Sequence, residues 1–264
     1  MALYKTEAVV IGRRPLGESD RLVDFYSRDF GKLRGVAKSA RRPRSRFGSS
    51  LELFTLGEIV FFDSGRSELV QIDHFDILHP FVAVREDLER LGRGAWTVES
   101  VARLSADRDP NPALFRLVVR TLTALERSRR AAWVAACFAM RAVDLFGHRP
   151  RLDRCVACTR PFPFAPAALD IDAGGLVCGR CRAGADPLAV SGAVVGTLTR
   201  LRGLRWDEAL QLSLAPSLEG ELCAVVEGVI ARLAGQLPRS SRFLAQIRRS
   251  LGHVAEPVPP RHRR

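Results

Sequence analysis

The chain has 264 residues, of which 47% are hydrophobic and 27% charged, and a formal net charge of +12. This composition excludes a disordered or collagen-like chain and supplies apolar material for one large or two small cores. The charge concerns partners, not fold, and points to polyanions, nucleic acid first among them. Only Lys5, Lys32 and Lys38 are lysines. Arginine replaces lysine along the whole chain, which reads as a genomic bias more than as a site. No segment approaches the roughly 18–20 apolar residues that span a bilayer. The longest apolar run, Ala131 to Met140, is bounded by Arg130 and Arg141. Glu7 would fall inside the apolar stretch of a signal peptide, so the expectation is a cytoplasmic protein with reduced cysteines unless they hold metal.

The first 80 residues read as β. Strands are expected at Tyr4–Arg14, Arg21–Ser27, Lys32–Ala37, Leu51–Asp63 and Glu68–Leu78, separated by Gly- and Ser-rich turns. Five strands at that spacing suggest a small barrel, and a five-stranded barrel that meets a polyanion is most often an OB-fold. Between the third and fourth strands the chain turns strongly cationic. Residues 31–47 carry Lys32, Arg34, Lys38, Arg41, Arg42, Arg44 and Arg46 and no acid. Such a segment is built to neutralise phosphates and release their counterions. Tyr26, Phe47 and Phe54 are candidate stacking platforms for bases, with a core role as the alternative, favoured for Phe54.

After Pro80 the apolar spacing becomes helical, as in Val84, Leu88, Leu91 and Ala95. Asp109-Pro110-Asn111-Pro112 is a break, and helices are expected at Leu114–Leu125 and Trp133–Phe146, the latter stopped at Gly147. Arg120, Arg127, Arg129, Arg130 and Arg141 form a second basic set, either a dock for an acidic peptide or a solvated face. Cys137 and Cys223 sit singly on apolar faces and read as core residues.

Cys155-Val-Ala-Cys158 and Cys178-Gly-Arg-Cys181 stand 19 residues apart. Two such knuckles suit one four-thiolate structural zinc, with bonds of about 2.3 Å and no open position for water. A zinc deaminase would need His-x-Glu and Pro-Cys-x-x-Cys, and the chain has neither. His148 is a stray ligand at most and more plainly a residue at a helix end. Helices resume at Ser191–Leu204, Ser217–Leu237 and Ser240–Leu251, and a Pro- and Arg-rich tail with Arg261, Arg263 and Arg264 follows Glu256. The expected organisation is α+β: an OB barrel at 1–80, a helical domain at 81–152 and 189–255, a zinc insertion at 153–188, and a mobile basic tail at 256–264.

No phosphate-cradling Gly-x-x-x-x-Gly-Lys-Ser/Thr loop, no Gly-x-Ser-x-Gly elbow and no His-Glu-x-x-His is present. Glu18, Asp20 and Asp24 are the nearest approach to a two-metal nuclease, but arginines beside them favour a structural role at the barrel edge. The reading is a binding protein and not an enzyme. An RNA-binding barrel with a structural zinc, and less favourably the nuclease, are the alternatives.

Several of these residues resemble the RecO family of bacterial recombination mediators. Gly17-Glu18-Ser19-Asp20-Arg21-Leu22-Val23 resembles its opening motif, and Gly31 to Lys38 followed by Arg41-Arg42-Pro43-Arg44-Ser45-Arg46-Phe47 resembles its basic loop. Leu51-Glu52-Leu53-Phe54 continues the likeness, Phe81, Arg85 and Leu88 fit its first helix, and the cysteine pairs fit its zinc-bearing members. Ser39-Ala40 departs from it, since a glycine is expected beside the lysine. The resemblance implies an N-terminal OB-fold, a helical domain with a zinc module, and no catalysis. It implies binding of single- and double-stranded DNA at the nucleoid and annealing of complementary strands. It also implies work with RecR to load RecA on strands coated by single-strand-binding protein, whose acidic tail docks on the helical domain. On that resemblance the DNA-binding set is Lys32, Arg34, Lys38, Arg41, Arg42, Arg44, Arg46 and Phe47, and the partner-binding set is Arg120, Arg127, Arg130 and Arg141.

Overall fold

The computed structural model describes residues 2–182, 187–236 and 238–254. The strands β1 (Ala2–Leu16), β2 (Asp20–Ser27), β3 (Gly31–Ala37), β4 (Leu56–Asp63) and β5 (Leu69–His79) form a closed barrel in the order β1-β2-β3-β5-β4. The β3–β5 pairing is parallel and the other four are antiparallel. This is the closed Greek-key barrel of an OB-fold.

One strand serves two cores. Residues Ala8, Val9, Val10 and Ile11 are all buried, although a pleated strand points successive side chains to opposite faces. Ala8 and Val10 belong to the barrel interior with Phe25, Leu33, Ile59 and Phe61. Val9 and Ile11 belong to the helical core with Trp96, Leu114 and Phe138. A continuous apolar run is therefore required here, and each fully buried Val or Ile contributes on the order of 2 kcal/mol.

The strand expected from Leu51 begins only at Leu56. Residues 38–55 instead fold as successive turns, closed by backbone bonds such as Arg42 N–H to Ser39 C=O (3.1 Å), Ser45 N–H to Arg42 C=O (3.0 Å) and Ser50 N–H to Phe47 C=O (2.8 Å). Ala40, Phe47 and Leu51 point inward and extend the barrel core. Phe54 takes a left-handed backbone (φ 74°), which no strand continues through.

The helical part opens with the short α1 (Val82–Glu86) and then α2 (Leu88–Leu104), whose start is capped by the Asp87 carboxylate accepting from Arg90 N–H at 2.9 Å. Asn111 caps α3 (Pro112–Arg127) in the same way, through Leu114 N–H at 3.0 Å. The alanine-rich α4 (Ala131–Leu145) is buried on nearly all sides, which its small side chains permit. A small sheet of β6 (Ala167–Asp170), β7 (Gly175–Cys178) and β8 (Leu188–Val190), in the order β7-β6-β8, lies within the cysteine segment, where no periodicity announced it. The chain closes with α5 (Gly192–Gly203), the unexpected α6 (Trp206–Gln211), α7 (Pro216–Leu233) and α8 (Arg239–Val254). The expected basic tail lies outside the described residues. Among the described residues no helix is long and apolar enough to cross a membrane.

Barrel and helices are also clasped at the end of α2. The Lys32 ammonium donates to the carbonyls of Ala102 (2.9 Å) and Ser105 (2.8 Å) and lies 3.1 Å from Asp107. Arg108 N–H donates to the Lys32 carbonyl at 3.0 Å, and the Arg108 guanidinium pairs with Asp63. Gly31 (φ +62°) makes this approach possible, since a Cβ there would stand 2.1 Å from the Asp109 carbonyl oxygen.

Candidate nucleic-acid interface and metal centre

The loop after β3 places its charges by alternating with its anchors. With Ala40 and Phe47 turned into the barrel, the side chains of Lys38, Arg41, Arg42, Arg44 and Arg46 are left exposed. Lys38, Ser39, Arg42, Arg44, Ser45 and Arg46 line one open groove of about 520 Å³. The loop is held at its start. Asp20 on β2 accepts from Ser39 N–H at 2.7 Å, and Arg41 donates backbone N–H to Ser19 C=O (2.9 Å) and a guanidinium N–H to Gly17 C=O (3.0 Å). The Ser39 N–H, the Ser19 hydroxyl and the charges of Lys38 and Arg42 hold the Asp20 carboxyl below its usual range, against a smaller opposing effect of desolvation. Ser39 has φ 56°, a left-handed conformation that glycine takes without cost. It lies in the Ser39-Ala40 pair beside Lys38, where the resemblance leads to the expectation of a glycine.

Three residues of the expected DNA-binding set are placed differently. Lys32 is the interdomain clasp described above, its three donors directed at α2 and Asp107. Arg34 donates to Asp24 at 2.6 Å, so its charge is neutralised within the sheet. Phe47 is 3% exposed and packs in the barrel interior, so it offers no face to a base. The Arg46 guanidinium lies over its ring, 5.2 Å from the centroid. Tyr26 and Phe54 are equally buried, and burial pushes the Tyr26 hydroxyl up to about 12. Sequence cannot separate these cases, because strand and loop arginines look alike until pairing partners are known.

Two of the three carboxylates that a two-metal site would need are engaged in structural bonds. Asp20 holds the loop and Asp24 holds Arg34. Glu18 is exposed on the turn between β1 and β2.

The Sγ atoms of Cys155, Cys158, Cys178 and Cys181 all lie within 4.8 Å of one another. Cys158 and Cys178 are 3.8 Å apart, the edge of a tetrahedron about one ion with metal–sulfur bonds of about 2.3 Å. Burial disfavours the Cys155 thiolate, but N–H donors from Cys158, Cys178 and Ala157 outweigh it and bring the thiol down to about 6. Cys178 is lowered in the same way, against burial, by N–H groups of Cys181 and Arg180. The neighbouring Cys158 and Cys178 thiols push Cys181 up to about 12. Four cysteine sulfurs at that spacing fit a metal ion. Cys137 and Cys223 are buried away from the cluster, and burial pushes Cys137 up to about 12. His148 is exposed beyond α4 and lies outside the cluster.

The arginines of the helical part divide. Arg130 pairs with Glu219 and donates to the Leu212 carbonyl at 3.0 Å, so it is internal bracing. Arg127 is exposed at the end of α3. Arg120 and Arg141 line a groove of about 640 Å³ with Arg116, Arg205, Leu204 and Trp206, and the Arg141 guanidinium stacks 5.2 Å from the Trp206 ring. The sequence carries no signal for Trp206 and Arg205 as site residues, because α6 is too short to show a period.

The fold and its site define a class: an OB barrel with an outward cationic loop, fused to a helical domain bearing a four-thiolate module. Comparison with known proteins carries this further. The family model described as recombination protein O N terminal matches residues 1–81, and that described as recombination protein O C terminal matches residues 85–243. The DNA repair protein RecO of Rubrobacter xylanophilus is 37% identical over 242 residues, 89% of this chain and 94% of that protein. The DNA repair protein RecO of Myxococcus xanthus is 33% identical over 248 residues, covering 94% and 99%. The chain belongs to the RecO family.

Proposed function

We propose that the protein is a non-catalytic DNA-binding mediator of recombinational repair, working at the nucleoid of the cytoplasm. The observation that carries this reading is the exposed row Lys38, Arg41, Arg42, Arg44 and Arg46 on a loop pinned to the barrel by Asp20 and anchored by buried Ala40 and Phe47. Such a surface binds single- and double-stranded DNA through phosphates, each contact adding roughly 0.7 to 0.9 to the salt slope. Annealing follows from the same electrostatics. Fixed cations screen two strands from one another, leave bases free to pair, and need no bond-making residue. The cysteine cluster holds one structural Zn2+, which braces the module and leaves no open coordination position. In the wider reaction the protein acts with RecR to load RecA on strands coated by single-strand-binding protein. The acidic tail of that coating protein docks in the groove of Arg116, Arg120, Arg141 and Trp206, where four arginines outnumber Asp144 and Asp207 around apolar side chains.

Strand annealing tests the reading. Labelled complementary strands mixed with the protein form duplex at equal rates with and without added magnesium. Cleavage that appears only with magnesium, or a strong preference for RNA, overturns it.

A further inference from the structure

We infer that the groove between α5 and the segment Arg149–Asp153 is a second contact for single-stranded nucleic acid, separate from the basic loop. It rests on the DNA-binding reading of the chain and extends it to a surface of the metal module.

The groove encloses about 950 Å³. One wall is the base of the hairpin that carries Cys155 and Cys158, closed where Phe162 N–H donates to the Asp153 carbonyl at 2.9 Å. The other wall is α5. Arg202 joins the two, donating from α5 to the Pro150 carbonyl at 2.9 Å and lying 3.5 Å from Asp144. Arg149 and Arg151 stand on the rim. Their internal pairs are long and exposed, Arg149 to Asp144 at 3.7 Å and Arg151 to Asp153 at 3.8 Å. Exposed pairs of that kind are worth about 0–1 kcal/mol at most, so exchanging them for phosphate costs little. On the α5 side Gly196 and Gly203 have open space above them, so a chain approaches the helix closely at those two positions, on either side of Thr199. Phe162 adds a ring to the same lining. Guanidinium groups beside an aromatic ring, over a helix wall whose only other side chains in the lining are the small Val195 and Thr199, are what a sugar-phosphate chain with stacking bases requires. Two separated strand contacts on one chain also suit annealing, which brings two strands to one protein.

The test counts bound strands on the full chain. An oligothymidylate of roughly eight nucleotides, within the span of one OB-fold, is titrated at low salt and its stoichiometry read by native mass spectrometry. The parent binds two per chain. Arg149→Ala/Arg151→Ala binds one, and the slope of log affinity against log salt for total binding falls by about 1.4, two contacts at about 0.7 each. The loop variant Arg41→Ala/Arg42→Ala/Arg44→Ala/Arg46→Ala also binds one, at the groove. Two strands retained by the groove variant overturn the inference, as does a loop variant that binds none. A groove variant that keeps both strands but loses an aspartate-rich peptide reassigns the groove to a peptide. A parent that binds no strand at all removes the DNA reading itself.

Discussion

The carboxylate of Asp20 accepts the backbone N–H of Ser39 at 2.7 Å, and so ties the start of the cationic loop to the second barrel strand. The bond also steadies a residue whose φ of 56° is costly for serine. Asp20→Ala should lower single-strand affinity about 3- to 10-fold, the worth of one hydrogen bond to a charged acceptor, with the fold intact. The pH dependence has a definite sign. The folded carboxyl is held below its usual value, so the clasp is in place above the usual aspartate range and is lost as pH falls through the lower folded value. The Ser39 amide resonance, followed by NMR during acid titration, should move at that lower pH. A midpoint at or above the ordinary aspartate value contradicts it.

Ser39 itself offers a paired comparison. Ser39→Gly relieves the left-handed strain and should leave the midpoint of thermal unfolding unchanged or raised. Ser39→Val places a β-branched residue at positive φ and should lower both that midpoint and DNA affinity. Equal behaviour of the two variants rejects the backbone explanation.

The row of loop arginines should act as a sum of phosphate contacts. Replacing Arg41, Arg42, Arg44 and Arg46 by alanine should reduce the salt slope of duplex binding by about 3.6, four contacts at about 0.9 each. Circular dichroism should remain that of the parent, since all four side chains are exposed. Affinity unchanged at low salt moves the interface elsewhere.

Lys32 predicts the opposite behaviour. Its ammonium serves Ala102, Ser105 and Asp107, so Lys32→Met should destabilise the protein by on the order of 2 kcal/mol. DNA affinity of the folded variant should stay within about twofold of the parent, the effect of a lost distant surface charge. Denaturant unfolding beside a binding isotherm separates the two effects, and a variant of full stability and weak binding refutes the assignment.

Cys155 and Cys178 are both buried in the cluster. Replacing them by serine removes two thiolates and should abolish bound metal, one ion per chain in the parent, and lower the unfolding midpoint by several degrees. Metal content by elemental analysis decides it. Parent protein purified without chelator and lacking zinc rejects the metal centre.

Much of the architecture was legible because short-range rules suffice for it. Alternation marked β1 to β5, the Asp109–Pro112 break separated α2 from α3, and cysteine spacing alone announced a four-thiolate cluster that the fold closes to within 4.8 Å. The small sheet of β6 to β8 escaped notice since strands of three or four residues carry no measurable period.

Composition and local pattern determined that this is a basic barrel followed by helices with a thiolate cluster, because charge, periodicity and ligand spacing are properties of neighbours in sequence. Which cations face outward was decided only by the tertiary structure. Lys32 and Arg44 are alike as cations in one basic segment, yet one closes the end of a helix 70 residues away and the other is exposed. The physical reason is that a charge is free or bound according to its partners in space, and Asp24, Asp107 and the carbonyls of α2 become partners only when the chain has folded.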